Sequence, residues 1–159
     1  MNSRAILSGA AVVAAAMPIL APVAAQATDP VQLASDVFVE RFQPGPNGRV
    51  SRILERPQGL HPGDQLVFVV NWKASRARPF TVTNPLPRAV SFQRSVDGAE
   101  EVSVDGGRSW GRLEDLRVTD RDGGLRHANP EDVTHLRWRV PDRLAAIGAG
   151  QITYRGVVR

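Results

Sequence analysis

Asp120, Asp122 and Glu131 carry oxygen ligands of the kind a calcium loop needs, with Glu131 at the twelfth position counted from Asp120. The EF-hand order then breaks. Gly124 holds the fifth position, where an oxygen ligand is required, and Leu125 the sixth, where the sharp turn demands glycine. Residues 119–124 therefore read as an Asp/Gly turn. His61, His127 and His135 show no metal-ligand spacing and join no Glu-x-x-His or His-x-His group, so no metal site is expected. The chain has 0 cysteines, which removes thiol nucleophiles, thiolate ligands and disulfides together. Ser51, Ser91 and Ser109 lack the G-x-S-x-G context of a nucleophile elbow. These residue types give no catalytic constellation and no cofactor site, and the chain is not read as an enzyme.

What remains is turn chemistry and arginine. Ser103, Asp105, Gly107, Ser109 and Trp110 follow S-x-D-x-G-x-S-W, the Asp-box pattern known from sialidase-type propellers. There the motif is a structural hairpin: the aspartate caps turn amides, a glycine takes positive φ and the aromatic packs beneath. A propeller would repeat it at a regular period, and this chain carries one copy. Ser103, Asp105, Gly107 and Trp110 are accordingly expected to be structural.

The arginines of the last two expected strands offer a candidate binding face. If Leu136, Trp138 and Val140 face a core, then His135, Arg137 and Arg139 face outward; the same parity on Ile152 and Tyr154 turns Thr153, Arg155 and Arg159 outward. On neighbouring strands these side chains would form one basic ladder. Like charges directly opposed across strands are unfavourable by a few tenths to ~1 kcal/mol, so something must answer them. The two answers are an acidic ligand and cross-strand carboxylates such as Glu40 or Glu101.

The elements that would position these groups follow a leader. Arg4 supplies a positive start, an Ala-rich apolar run occupies 5–20, and Ala25-Gln26-Ala27 offers a small-x-small cleavage site. Residues 1–27 are read as a cleavable signal peptide, and residues 28–159 as one exported domain, periplasmic or secreted, with no later apolar run to span a membrane. The net charge of +4 becomes +3 once Arg4 leaves with the leader. The excess sits in residues 133–159, which hold five arginines against Asp142 alone. The high pI partly reflects arginine's own pKa and is no sign of nucleic acid, which is not an expected partner.

Beyond the leader, Pro, Gly, Asn and Asp break the chain at short intervals, and the pieces between alternate with period two. In 64–72, Leu66, Phe68, Val70 and Trp72 point one way; Val67 and Val69 make the other face half apolar, as in a central strand. Further strands are expected over 31–42, 50–55, 80–84, 89–92, 101–105, 133–140 and 151–158, with one helical turn over 143–147. Residues 43–48 read as a loop. The fold class is all-β: an immunoglobulin-like two-sheet antiparallel sandwich of seven to nine strands, with Trp72, Trp138 and Tyr154 in its core and the final two strands adjacent.

Several short motifs follow one another in order: His61-Pro62-Gly63-Asp64 leading to Val70-Asn71-Trp72, then residues 82–87, 103–107, 133–138 and 148–152. Together they resemble the conserved-repeat domain of unknown function that recurs in bacterial exported and surface proteins, over about residues 31–158. The resemblance implies an immunoglobulin-like sandwich in an envelope protein and assigns no catalytic site. The expected function is a non-catalytic structural or interaction module of the bacterial cell envelope with an envelope protein or polymer as partner. The alternative is a binding module for carbohydrate or an anionic polymer, using the face of His135, Arg137, Arg139, Arg155 and Arg159. Oligomeric state is left open.

Overall fold

The computed structural model describes residues 30–159; the expected leader lies outside the described residues. Ten strands run in the order β1 (Val31–Pro44), β2 (Val50–Glu55), β3 (Gln65–Ala74), β4 (Phe80–Pro85), β5 (Val90–Ser95), β6 (Glu101–Ser103), β7 (Arg117–Thr119), β8 (Leu125–His127), β9 (His135–Val140) and β10 (Ala149–Val158). One short helix, α1 (Asp142–Ala145), links the last two. Every strand pair is antiparallel. A five-stranded sheet has the order β2-β1-β3-β10-β5, a three-stranded sheet β4-β9-β6, and β7-β8 form a separate hairpin. The strand count thus exceeds seven to nine. The extra pair is β7-β8, whose three-residue strands flank the turn at 119–124 and are too short to show a period.

The two larger sheets meet through their apolar parities, giving a sandwich-like all-β architecture. Leu66, Val70 and Trp72 of β3 join Ile152 and Tyr154 of β10 in one buried cluster with Val82 of β4, Val102 of β6, and Leu136, Trp138 and Val140 of β9. Tyr154 is fully buried: its ring stacks on Phe68 at 4.7 Å and reaches Trp138 across the layers at 5.4 Å. Its hydroxyl takes a hydrogen bond from Asn84, and burial still pushes its pKa up to about 12. β3 is central, as its two-sided pattern implies.

Contrary to expectation, the final two strands, β9 and β10, are not adjacent: β9 pairs with β4 and β6, whereas β10 pairs with β3 and β5. After β9, Pro141, α1 and Gly148 carry the chain from one layer to the other, where β10 aligns with β3 over nine residue pairs from Ala149 opposite Lys73 to Val157 opposite Gln65. Both strands do turn their alternate apolar residues inward. Because they do so from opposite layers, their outward residues point in opposite directions.

Among the described residues no helix is long and apolar enough to cross a membrane.

Candidate functional site

The segment 103–110 is a turn locked by one carboxylate. Asp105 Oδ1 accepts from Ser103 Oγ at 2.8 Å, Arg108 N at 3.0 Å and Ser109 N at 2.9 Å, while Oδ2 accepts from Ser109 Oγ at 2.6 Å. Led by the two Ser109 donors, these bonds hold the Asp105 carboxyl far below the usual range. Gly107 supplies φ +89°, which an L side chain rarely adopts, and its carbonyl takes the Trp110 Nε1 proton at 3.0 Å. Ser103, fully buried, accepts the Gly107 amide at 2.8 Å. A backbone bridge between Val102 and Gly111 closes the loop.

That loop delivers Trp110 to β9. The Arg137 guanidinium lies 4.5 Å from the Trp110 ring centroid, and His135 meets the same ring edge-on at 6.4 Å. Glu101 stands opposite Arg137 in the register. One oxygen, Oε2, takes both Arg137 Nε at 2.8 Å and Arg139 Nε at 3.4 Å. The Arg137 hydrogen bond, above all, keeps Glu101 below the ordinary carboxylate range. His135, Arg137 and Arg139 therefore do share one outward face, on which Glu101 contacts both arginines and Trp110 packs against Arg137.

Arg155 and Arg159 are elsewhere, so the five expected residues do not form one ladder. Arg155 projects from the outer face of the five-stranded sheet and donates to Glu40 Oε2 at 2.7 Å. Arg159, past the end of β10, donates to the Arg88 carbonyl. The cause is the layer change between β9 and β10.

On this opposite face the structure builds a site that strand parity alone did not indicate. Glu40 is only 6% exposed although it sits on a solvent-facing surface, because Arg155 and Arg52 flank it. Arg52 Nε lies 3.0 Å from Glu40 Oε1 without an aligned hydrogen bond, so Arg52 contributes attraction rather than a directed bond. Arg94 of β5 stands directly opposite Arg155. Its guanidinium has no carboxylate partner among the described ion pairs. Arg94 and Arg155 share an open groove of about 1010 Å³ with Phe42, Gln65, Glu131 and Arg159. Phe42 is 63% exposed. Arg94 lies two residues beyond the strand expected over 89–92, and its pairing with β10 depends on topology, so neither signal is plain in the sequence. No family model matches the chain. No curated protein and no solved structure matches it either.

Asp64, Asp120 and Asp132 serve local structure. Asp64 accepts the His61 amide and the Arg41 guanidinium, and Arg41 draws its pKa down. Asp132 holds Arg126 through two bonds of 2.6 and 2.7 Å, and this pair lowers its pKa. In the 119–124 turn, Asp120 accepts the Gly123 amide through its carbonyl and the Arg121 amide through its side chain. Glu131 belongs to a separate 3-10 turn. Among the described residues no group of three or more His, Asp or Glu could hold a metal ion.

Proposed function

We propose that this protein is a non-catalytic interaction module of the bacterial cell envelope, exported on the leader 1–27 and periplasmic or secreted, and that it binds an anionic polymer or acidic glycan. The binding surface in this reading is the groove on the five-stranded sheet. The observation that carries it is the apposition of Arg94 and Arg155 across β5 and β10, with one buried carboxylate, Glu40, serving Arg155. An anionic group over Arg94 removes the cross-strand repulsion. Phe42 offers a flat apolar surface at the groove wall, and Gln65 offers hydrogen bonds beside it.

The carboxylates support the non-catalytic part. A general acid near neutral pH needs a raised pKa, whereas Asp64, Glu101, Asp105 and Asp132 are all driven downward by arginines or turn donors. The immunoglobulin-like label and the resemblance to the conserved-repeat domain belong to this proposal. Two-layer packing and the ordered motifs favour them, and the separation of β9 from β10 counts against them.

The test is retention on heparin and phosphate matrices. Arg94→Ser is expected to elute at clearly lower salt than the wild type, and the Arg137→Ser plus Arg139→Ser double variant at unchanged salt. Retention insensitive to Arg94→Ser, or abolished by the double variant, sinks the groove assignment.

A further inference from the structure

β1 is 14 residues long, but β2 covers only its second half: the β1–β2 register begins with Val39 opposite Glu55. Residues 31–37 are bonded to β3 on one side and, among the described residues, to no strand on the other. This edge lacks the usual protections. Residues 31–37 contain no proline and no lysine, and their one charge, Asp36, is answered by Arg56 at 3.4 Å. Leu33 lies on the parity that faces the core, opposite Trp72, yet is 52% exposed.

We propose that a second copy of this chain docks on this edge, its β1 antiparallel to the first, so that two five-stranded sheets join into one of ten strands. Side-chain parity narrows the register, and an axis at Ala34, the midpoint of 31–37, is the one that pairs all seven free residues. A twofold axis through a residue keeps inward residues beside inward residues, whereas an axis between residues would flip one copy's faces to the wrong side. With the axis at Ala34, Leu33 sits beside Ser35 of the partner subunit, Val31 beside the partner subunit's Val37, and Gln32 beside the partner subunit's Asp36. No like charges oppose one another, and the Gln32 amide can donate to the carboxylate across from it. Seven paired residues at ~3.3 Å each give a seam of about 23 Å, and Leu33 gains the apolar neighbours it lacks. This surface is separate from the groove, so either can fail alone.

The chain has no cysteine, which makes Ala34→Cys a direct reporter. Directly opposed residues on antiparallel strands lie within disulfide reach, so Ala34→Cys is expected to form a disulfide dimer on mild oxidation at least about tenfold faster than Arg121→Cys on the remote β7-β8 turn. Sedimentation of the wild-type protein should show a concentration-dependent dimer. Ala34→Lys, which sets two ammonium groups face to face at the axis, should raise the dissociation constant by at least about tenfold with its far-ultraviolet circular dichroism unchanged. A wild type that stays monomeric at ~100 μM overturns the proposal, whatever other strand then occupies the edge. So does a dimer that Ala34→Lys leaves intact, or one in which the Ala34→Cys disulfide forms no faster than the Arg121→Cys control.

Discussion

The two arginine-bearing faces differ in where their counter-charge sits. On β9, Glu101 is 32% exposed and shares one oxygen between Arg137 and the 74% exposed Arg139; Trp110 packs against Arg137. On the five-stranded sheet, Glu40 is 4% exposed at its side chain, and it fixes Arg155, itself 16% exposed, while Arg94 faces the pair unanswered. A rim carboxylate is interchangeable with water and salt. A carboxylate enclosed by two guanidinium groups is not, because removing it strands a desolvated cation. On the first face each arginine contacts a carboxylate; on the second Arg94 contacts none among the described ion pairs.

Glu40→Gln should break that contrast most sharply. It keeps the side chain's size and removes the charge facing Arg155 and Arg52, so the expected loss is about 2–3 kcal/mol of folding stability in urea unfolding. A loss below about 0.5 kcal/mol would mean that Arg155 simply turns to solvent, and the two faces would then be alike. Leucine at position 40 combined with methionine at 155 should recover most of the loss, since an apolar pair of similar volume leaves no charge behind.

Gly156→Ala is next in size and tests how Arg94 comes to oppose Arg155. The β10–β5 register shifts between Arg155 and Gly156. A Cβ at 156 would lie 2.4 Å from Val90 Cγ1 and 3.0 Å from the Ser91 carbonyl, so β5 must move away. Overpacking of this kind costs about 1–3 kcal/mol. Thermal unfolding should drop accordingly, and the salt at which the variant leaves a heparin matrix should fall toward that of Arg94→Ser. Full retention despite lost stability would separate the groove from the register.

Parity explains both what could be read in the residues and what could not. Leu66, Val70 and Trp72 announced their buried side because alternation is a property of one strand. The same rule turned Arg137 and Arg155 outward correctly. It is silent on layer: an outward side chain looks the same from either sheet, and the connection through Pro141, α1 and Gly148 decides which sheet β10 joins. Asp105 was legible for a different reason, since its four acceptor bonds all come from residues 103–109 and need no distant partner. Glu40 meets Arg155 across 115 positions, and only the completed five-stranded sheet brings them together. The β7-β8 hairpin has no alternation signature, because three residues per strand cannot establish a period.

The smallest effect should appear at Glu101, where acid distinguishes a rim pair from an enclosed one. Folding lowers its pKa from the ordinary 4.5, so the folded state holds the ionised form more tightly than the unfolded chain does. A group of this kind contributes its stability fully above the unfolded value, and the contribution disappears as pH falls through the folded one. Wild-type stability should therefore exceed that of Glu101→Gln between pH 5 and 8 by no more than about 1 kcal/mol, because the pair is partly solvated. The gap should close progressively below pH ~4.5. Added salt at pH 7 should narrow the same gap, since the rim is within reach of counter-ions. For Glu40→Gln the deficit at pH 7 should survive the same salt. If both deficits shrank equally, Glu40 would be as open to ions as Glu101, and the difference between the two faces would vanish.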